Sequence, residues 1–237
     1  GNDYNDSVEY SGSLEDLMDG GGNVGDAHYG LACWKGAVKE DAAPYVRPAQ
    51  PLSRTKEVAY LSDFAHLQGF YYIDKTDVSA VKSKIMEYGA VSASYYDHSN
   101  YLNEQTAAYY CNVSTGTNHA VSIIGWDDNY SRNNFNADIR PSSNGAWLVR
   151  NSWGDWFGDN GYFWLSYEDA SLYRSMYALY VEPAGNYDNN YQYDFAPGTK
   201  YWGVSKAASV FEAKANGNKM EELKAVAIDL SYSTNVS

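Results

Sequence analysis

Three residue types in this sequence of 237 residues are those of a nucleophilic active site. Cys33 is followed by Trp34 in LACWKGAV, His119 lies in TNHAV, and Asn151 begins NSWG. A thiolate is the reactive form of cysteine, an imidazole generates it, and a side-chain amide oxygen holds that imidazole in one orientation. The set predicts acyl transfer through a thiol, if folding brings the three side chains together.

Two predicted strands position the histidine and the asparagine. His119 opens the apolar run HAVSIIGW, which we expect to be a strand buried on both faces, and Asn151 ends the run AWLVRN. Residues at the ends of neighbouring strands can meet, so we expect the two side chains to be adjacent. Trp153 would then cover their hydrogen bond from water. Each residue alone also has a simpler interpretation, as a core histidine or a turn asparagine.

The remaining pattern is a helix-rich front followed by a run of strands, which indicates an α+β domain. We expect one helix over GDAHYGLACWKG, capped by Asp26 and stopped by Gly36, and another over TDVSAVKSKIMEYGA, capped by Asp77 and closed by Gly89. The apolar stripe predicted for the second helix is Val78, Val81, Ile85 and Met86. The other predicted strands are GFYYID, AVSASYY, GYFWLSY and SMYALYV, and the polar insertion NYSRNNFNADIRPSSNG is a predicted surface loop.

Composition excludes several function classes. The net charge of −13 disfavours nucleic acid as a partner, because phosphate binding needs clustered Lys and Arg. No apolar run approaches the roughly 18 residues of a transmembrane segment. The two cysteines and four histidines show no zinc-site spacing, so we expect no metal and no cofactor.

The composition also changes after residue 183, which predicts two domains, 1–183 and 184–237. The second part contains two strand-like stretches, YWGVSKAASVFEA and LKAVAIDLSY. Two strands cannot bury a core alone, so we expect 184–237 to be the incomplete beginning of a β-sandwich.

The segment TNHAVSIIGWDD, followed by GAWLVRNSWGDWFGDNGYFWLSY, resembles the papain family of cysteine peptidases. Weaker resemblances lie in DGGGN and WKGAVKEDAAPY, so the similarity covers roughly residues 15–182. It implies a papain-like fold with a helical part and an antiparallel β-barrel part. The tail resembles the opening of the lectin-like β-sandwich that is joined to such peptidases in some secreted or cell-surface bacterial proteins.

The resemblance implies roles for individual residues. His119 would be the catalytic imidazole and Asn151 its orienting partner. Phe157 stands where family members usually have a second Trp, with Trp156 beside it. A backbone-binding Gly pair, a pocket-lining Ala and the indole shield complete the site. The residues assigned to substrate binding are Gly21, Gly22, Ala120 and Trp153.

Cys33 fits the nucleophile of that family poorly. The family nucleophile lies about 130–150 residues before the His, whereas Cys33 lies 86 residues before His119. Its context lacks the Gly-Ser approach and the preceding Gln, and a helix C-terminus disfavours a thiolate. We therefore expect Cys33 to be a small apolar core residue, and Cys111 is also a poor candidate.

The chain would then carry the His/Asn half of a cysteine-type peptidase, inactive alone, with peptide or protein substrates. It would be a fragment, a processed product or an inactive homologue, and the missing start methionine and unfinished tail favour the fragment. We expect an extracellular or cell-surface bacterial protein, with a glycan as a further partner of the C-terminal domain. The alternative is a catalytically inactive peptidase-fold binding protein; a transglutaminase or amidase explains NSWG and GDNGY less well.

Overall fold

The helices and strands confirm the predicted order of a helical front and a run of strands. The structure, a computed structural model, describes residues 24–34, 36–39, 41–42, 63–192, 210–214 and 220–226. These residues belong to two units, one formed by 1–69 with 181–237 and the other by 70–180. The helices are α1 (Val24–Ala32) and α2 (Val78–Tyr88). The strands are β1 (Ala65–Asp74), β2 (Val91–Tyr95), β3 (Leu102–Asn103), β4 (Ala108–Tyr109), β5 (His119–Asp127), β6 (Ala146–Arg150), β7 (Tyr162–Ser166) and β8 (Ser175–Pro183).

The unit of residues 70–180 is built on a mixed sheet. Its strands follow the order β1-β8-β2-β5-β6-β7-β4-β3. Strand β5 is antiparallel to both β2 and β6, and β6 is antiparallel to β7, while β4 and β7 are parallel. The sheet is therefore largely antiparallel, as predicted, with one parallel pair that the sequence pattern did not indicate.

Alternating burial along β2 and β5 shows which face of the sheet meets the core. In β2, Val91 and Tyr95 are buried, and in β5, Val121 and Ile123 are buried. The intervening Ser122 of β5 is exposed. Successive side chains of a strand point to opposite faces, so only one face of β5 is covered here. The prediction that this strand is buried on both faces is wrong.

Helix α2 has both of its predicted ends. The carboxylate of Asp77 accepts a hydrogen bond from the Ala80 N–H at 2.9 Å, which satisfies one of the free donors of the first turn. Gly89 ends the helix with φ 86°, a conformation that favours glycine. Val81 and Ile85 are buried, but Met86 is 77% exposed. Met86 was wrongly placed on the buried stripe.

Helix α1 differs from its prediction at both ends. It begins at Val24, so Asp26 lies inside the first turn and is not the residue that precedes the helix. It ends at Ala32, four residues before Gly36, and the Cys33 N–H donates to the Gly30 carbonyl in a tightened last turn. Cys33 is half-buried and is not the core residue we expected. Cys111 is the fully buried thiol of the described residues.

The insertion at 129–145 lies between β5 and β6 and carries a buried anchor. Phe135 is 1% exposed and forms a small cluster with Ala108 and Ala146. The backbone carbonyl of Asn134 accepts hydrogen bonds from the side chains of Asn103 and Thr106, at 2.8 and 2.5 Å. The polar composition correctly placed most of this loop at the surface, but the single Phe fixes it to the sheet.

Most of the predicted second domain lies outside the described residues. Residues 210–214 and 220–226, which overlap its two strand-like stretches, are not in strands. The β-sandwich and the domain boundary at 183 stay predictions.

Candidate active site

The side chains of His119 and Asn151 meet directly. Nε2 of His119 lies 2.8 Å from Oδ1 of Asn151. The same oxygen accepts the Ser152 N–H at 2.8 Å, which identifies it as the carbonyl oxygen of the amide. Because an amide oxygen only accepts, Nε2 must carry the proton and donate it. Nδ1 is then the ring nitrogen left to exchange protons with a reacting group.

Strand pairing explains why residues 32 positions apart become neighbours. Ser122 of β5 pairs with Arg150 of β6 in antiparallel register, so the start of β5 and the residues after β6 lie at the same edge. His119 itself pairs with Tyr95 at the end of β2. The Asn151 N–H donates to the Gly161 carbonyl at 2.9 Å, which holds the chain in place beyond the strand. The predicted adjacency of His119 and Asn151 is confirmed.

Aromatic rings enclose the imidazole on two sides. The Trp153 indole stacks on His119 with ring centroids 4.7 Å apart and planes 28° from parallel. Tyr95 approaches the imidazole edge-on at 5.8 Å. Phe157 supports Trp153 from behind at 4.8 Å and 88°. The predicted indole cover is therefore present, and a second aromatic side chain holds it.

The side chain of Asn118 fixes the backbone immediately before His119 by hydrogen bonds to the main chain of Asp97. The sequence analysis did not predict this contact. Its Oδ1 accepts the Asp97 N–H at 2.6 Å, and its Nδ2 donates to the Asp97 carbonyl at 3.0 Å. Its own N–H donates to the Tyr95 carbonyl at 3.1 Å. The amide thereby continues the β2–β5 ladder by one residue. The available signal was an amide residue directly before a strand-opening histidine.

The loop from Asn151 to Tyr162 needs glycine at two close approaches. Gly158 has φ 57°, and a Cβ there would lie 2.2 Å from the Tyr162 carbonyl oxygen. At Gly161, φ is 87° and a Cβ would lie 2.9 Å from the Gly154 carbonyl oxygen. Any larger residue would push the loop off β7. The glycines of the GDNGY segment thus allow the loop to carry Trp153 and Phe157 back over His119.

Tyr95 contributes a neutral phenol beside the imidazole. Burial, and then the negative charge of Asp97, strongly raise the pKa of Tyr95. Its hydroxyl donates to Asp97 Oδ1 at 3.0 Å. Tyr95 therefore acts here as a fixed hydrogen-bond donor and a packing surface, and not as an acid.

The comparison with known families decides the identity of the fold. The sequence profile described as "Papain family cysteine protease" matches residues 14–181. The chain belongs to the papain family of cysteine proteases. The papain-like α+β fold predicted from the sequence is confirmed with it.

Solved and curated members of the papain family resemble parts of this chain. A structure of the clostridial cysteine protease Cwp84 after propeptide cleavage is 35% identical to this chain, with a TM-score of 0.66. The matched region covers 74% of this chain and 45% of the Cwp84 chain. A structure of the cysteine protease and lectin-like domains of Cwp84, a surface layer associated protein of Clostridium difficile, is also 35% identical (TM-score 0.63, 72% and 38% covered). The cathepsin B-like cysteine proteinase 3 of Caenorhabditis elegans is 29% identical over 147 residues, which cover 60% of this chain and 35% of that protein. The chain spans less than half the length of these papain-family relatives.

The two cysteines of this papain-family chain lie in different surroundings. Cys111 is fully buried, its N–H donates to Asp169 Oδ2 at 2.7 Å, and its Sγ donates to the Val113 carbonyl at 3.4 Å. Cys33 follows the C-terminal end of α1. A thiol at a helix C-terminus, or one held in an apolar core, gains little help in becoming a thiolate.

The predicted substrate-binding residues of the papain-family site are only partly described. Gly21 and Gly22 lie outside the described residues. Ala120 is exposed and lines an open hollow of about 300 Å³ that Asn151 also lines. Trp153 lies over the imidazole of His119. Their roles in substrate binding stay predictions.

The described part of this papain-family chain has neither a metal-binding cluster nor a membrane-spanning helix. It contains no group of three or more His, Cys, Asp or Glu side chains placed to share one metal ion. None of its described helices has the length and apolar character that crossing a membrane requires. The absence of a cofactor stays a prediction.

Proposed function

We propose that this protein acts in peptide-bond hydrolysis as a cysteine peptidase, with His119 as the catalytic imidazole and Asn151 as its positioning partner. The observation that carries the proposal is the 2.8 Å contact between His119 Nε2 and Asn151 Oδ1 beneath the Trp153 indole. A histidine held in one tautomer, and covered from water, is equipped for proton transfer at its other nitrogen. Peptides and proteins are the substrates that this family chemistry implies.

The proposed reaction moves protons through Nδ1 of His119. Nδ1 takes the proton of a cysteine thiol, and the thiolate attacks the scissile carbonyl carbon. The imidazolium then gives its proton to the leaving amine as the C–N bond breaks, which leaves an acyl-enzyme thioester. Water attacks the thioester while Nδ1 accepts its proton, and that proton returns to the sulfur as the carboxylic acid leaves. Throughout the reaction the Nε2–H of His119 donates its hydrogen bond to Asn151 Oδ1.

We infer that neither cysteine of residues 1–237 supplies this thiolate. Cys111 is enclosed in the core and bonded to a backbone carbonyl. Cys33 follows a helix C-terminus, where the dipole opposes negative charge. The nucleophile would belong to another part of the natural full-length protein, and residues 1–237 alone would be inactive.

Labelling with a thiol-directed epoxide tests this proposal. The natural full-length protein is incubated with a peptide substrate and the epoxide, and the modified cysteine is identified by mass spectrometry. We expect activity to be lost with the labelling of one cysteine that is neither Cys33 nor Cys111. Labelling of Cys33 in step with inactivation would show that the nucleophile was wrongly excluded, and peptidase activity insensitive to the epoxide would refute the thiol mechanism.

The alternative function is a peptidase-fold binding protein without catalysis, and the unfavourable settings of both cysteines favour it. The coding sequence that precedes residue 1 distinguishes the two. A Gln followed closely by Cys-Trp at a predicted helix start supports the enzyme, and Ser or Gly in place of that Cys supports the binder.

We also propose an extracellular or cell-surface location in a bacterium, with a lectin-like domain after the peptidase domain and a glycan as its ligand. The support is the 35% identity to Cwp84, described as surface layer associated and solved with a lectin-like domain. Protease shaving of intact producing cells tests the location. Release of peptides of this protein is expected, and their restriction to lysed cells would contradict the proposal.

A further inference from the structure

The imidazole of His119 is held at one nitrogen by a hydrogen bond, and one hydrogen bond leaves a ring free to turn. The bond from Nε2 to Asn151 Oδ1 is 2.8 Å long and allows rotation about its own axis. Stacking on Trp153, with the two planes 28° apart, restrains the tilt of the imidazole but lets it slide parallel to the indole. A third contact, at a different angle, would fix the direction of Nδ1.

Tyr95 provides that third contact. Its ring centroid lies 5.8 Å from that of the imidazole, with the two planes at 67°, whereas Trp153 lies nearly parallel to the imidazole. Tyr95 and His119 are directly paired at the ends of β2 and β5, so their side chains share one face of the sheet. Tyr95 is fully buried, and its ring packs edge-on against Tyr109 at 4.9 Å. An imidazole that turned toward Tyr95 would therefore have to displace a ring of the core.

The phenol hydroxyl connects Tyr95 to Asp97. It donates to Asp97 Oδ1 at 3.0 Å, and burial, followed by the charge of Asp97, strongly raises the pKa of Tyr95, so the phenol keeps its proton. Asp97 is held in turn at its main chain, where Asn118 Oδ1 accepts its N–H at 2.6 Å and Asn118 Nδ2 donates to its carbonyl at 3.0 Å. Asn118 directly precedes His119 in the chain. The contacts therefore form a closed cycle that begins at the imidazole and returns to the main chain of the same histidine.

We infer that Tyr95 and Asp97 are positioning residues for the catalytic imidazole. The ring of Tyr95 blocks rotation of His119 about its bond to Asn151. The Asp97 carboxylate holds that ring through the phenol hydroxyl, and neither side chain takes part in proton transfer. The role in catalysis rests on the proposed peptidase function, whereas the restraint on the imidazole does not depend on it.

Kinetics of the full-length protein test the role of the hydroxyl. Tyr95→Phe removes that group alone, and we expect kcat to fall by up to about tenfold, with KM unchanged because the ring is buried. Tyr167→Phe is the matched control, because the Tyr167 hydroxyl donates to Asp128 Oδ1 at 2.9 Å, at the other end of β5 from His119. A fall in kcat for Tyr95→Phe no larger than that of the control would overturn the inference.

Two substitutions of Asp97 separate positioning from charge. The hydrogen bonds of Asn118 go to main-chain atoms of Asp97, so both substitutions leave them in place. Asp97→Asn keeps an oxygen that can accept from the phenol and should retain most of the wild-type kcat. Asp97→Ala removes this acceptor and should lower kcat as Tyr95→Phe does. Equal losses in the two Asp97 variants would assign the effect to the charge and contradict the positioning role.

The NMR signal of the His119 Nε2 proton gives a readout that needs no activity. Tyr95→Leu removes the aromatic contact, so this signal should broaden or disappear in the full-length protein, whereas Tyr167→Leu should leave it sharp. Asp97→Ala, which changes a half-buried residue, should also broaden the signal and serves as the test if Tyr95→Leu does not fold.

The two readouts distinguish failure of this inference from failure of the proposed function. If the wild-type protein hydrolyses no peptide, the proposed function is wrong, and the Nε2 signal still decides whether Tyr95 and Asp97 restrain the imidazole. A signal that stays sharp and unshifted in the Tyr95 and Asp97 variants would overturn the inference, whether or not the full-length protein is a peptidase.

Discussion

The indole of Trp153 lies nearly parallel to the imidazole of His119, with centroids 4.7 Å apart. The contact covers the ring that donates to Asn151, and a hydrogen bond shielded from water is stronger than an exposed one. Trp153 is held in turn by the buried Phe157. The orientation of His119 therefore depends on the packing of an aromatic pair as well as on its hydrogen bond to Asn151.

Replacing Trp153 by Ala should loosen the imidazole while leaving both partners of the His119–Asn151 hydrogen bond in place. A misplaced catalytic group can cost on the order of 10²-fold in rate, so we expect a fall of about that size in kcat for the full-length protein. In residues 1–237, the NMR signal of the His119 Nε2 proton should also broaden or disappear.

Trp156 provides the matched control, because it is a tryptophan of the same loop that is 65% exposed. Trp156→Ala should leave the Nε2 proton signal of His119 in place. Equal effects of the two substitutions would mean that Trp153 has no special part in shielding the His–Asn pair.

Phe135→Ala should destabilise the protein through the loop that it anchors. Phe135 is 1% exposed, and truncation of a buried Phe costs about 3–5 kcal/mol. Met86→Ala removes an apolar side chain that is 77% exposed, so its effect should stay within about 0.5 kcal/mol. Urea unfolding compares the two variants, and similar unfolding midpoints would show that the loop is not fixed by Phe135.

Asp74 should make stability depend on pH in the acid range. Hydrogen bonds from the Thr76 N–H, the Arg174 guanidinium and the Thr76 hydroxyl lower the pKa of Asp74 from 3.8 to about 2. A lowered folded-state pKa favours the folded state above the unfolded pKa, and this contribution is lost as pH falls through the folded one. We therefore expect stability linked to Asp74 to be present above pH 4 and to disappear as pH approaches 2.

Melting temperatures of the wild type and of Asp74→Asn, measured between pH 7 and pH 2, check this expectation. The wild type should be more stable at pH 7, and the difference should shrink toward pH 2. A difference that stays constant over the range would separate the effect of the substitution from the titration of Asp74.

The sequence predicted the strands and the His–Asn pair because their signals are local and strong. The cap at Asp77, the αL glycine at Gly89 and the long apolar run that His119 opens each have a direct physical meaning in the chain. The prediction that His119 and Asn151 are adjacent followed from the rule that residues at the ends of neighbouring strands can meet.

Other features depend on the sheet and could not be read from spacing. Three such features involve partners that are far apart in the chain. They are the parallel pairing of β4 with β7, the hydrogen bonds between Asn118 and Asp97, and the burial of Phe135. Met86 has the spacing of a buried helix face but is exposed. Whether an apolar helix residue is buried depends on what packs against it, which spacing alone does not show.

The surroundings of Cys33 were the part of the candidate site that the sequence predicted least well. The C-terminal end of α1 lies at Ala32, whereas the Gly signal at Gly36 placed it later. Cys33 was therefore expected in a helix and in the core, and it is in neither. A helix can end before its glycine when a tightened turn satisfies the last carbonyls, as the Cys33 and Trp34 N–H groups do here.

The most direct test of the central claim is the rate of peptide hydrolysis by the full-length protein carrying His119→Ala. His98→Ala is the control, since His98 is exposed and its Nδ1 only accepts the Asn100 N–H. General acid–base catalysis contributes about 10²–10⁴-fold, so we predict a loss of at least that order in kcat for His119→Ala and little change for His98→Ala. Peptide hydrolysis by His119→Ala at the rate of the His98→Ala control would contradict the assignment of His119 as the catalytic imidazole.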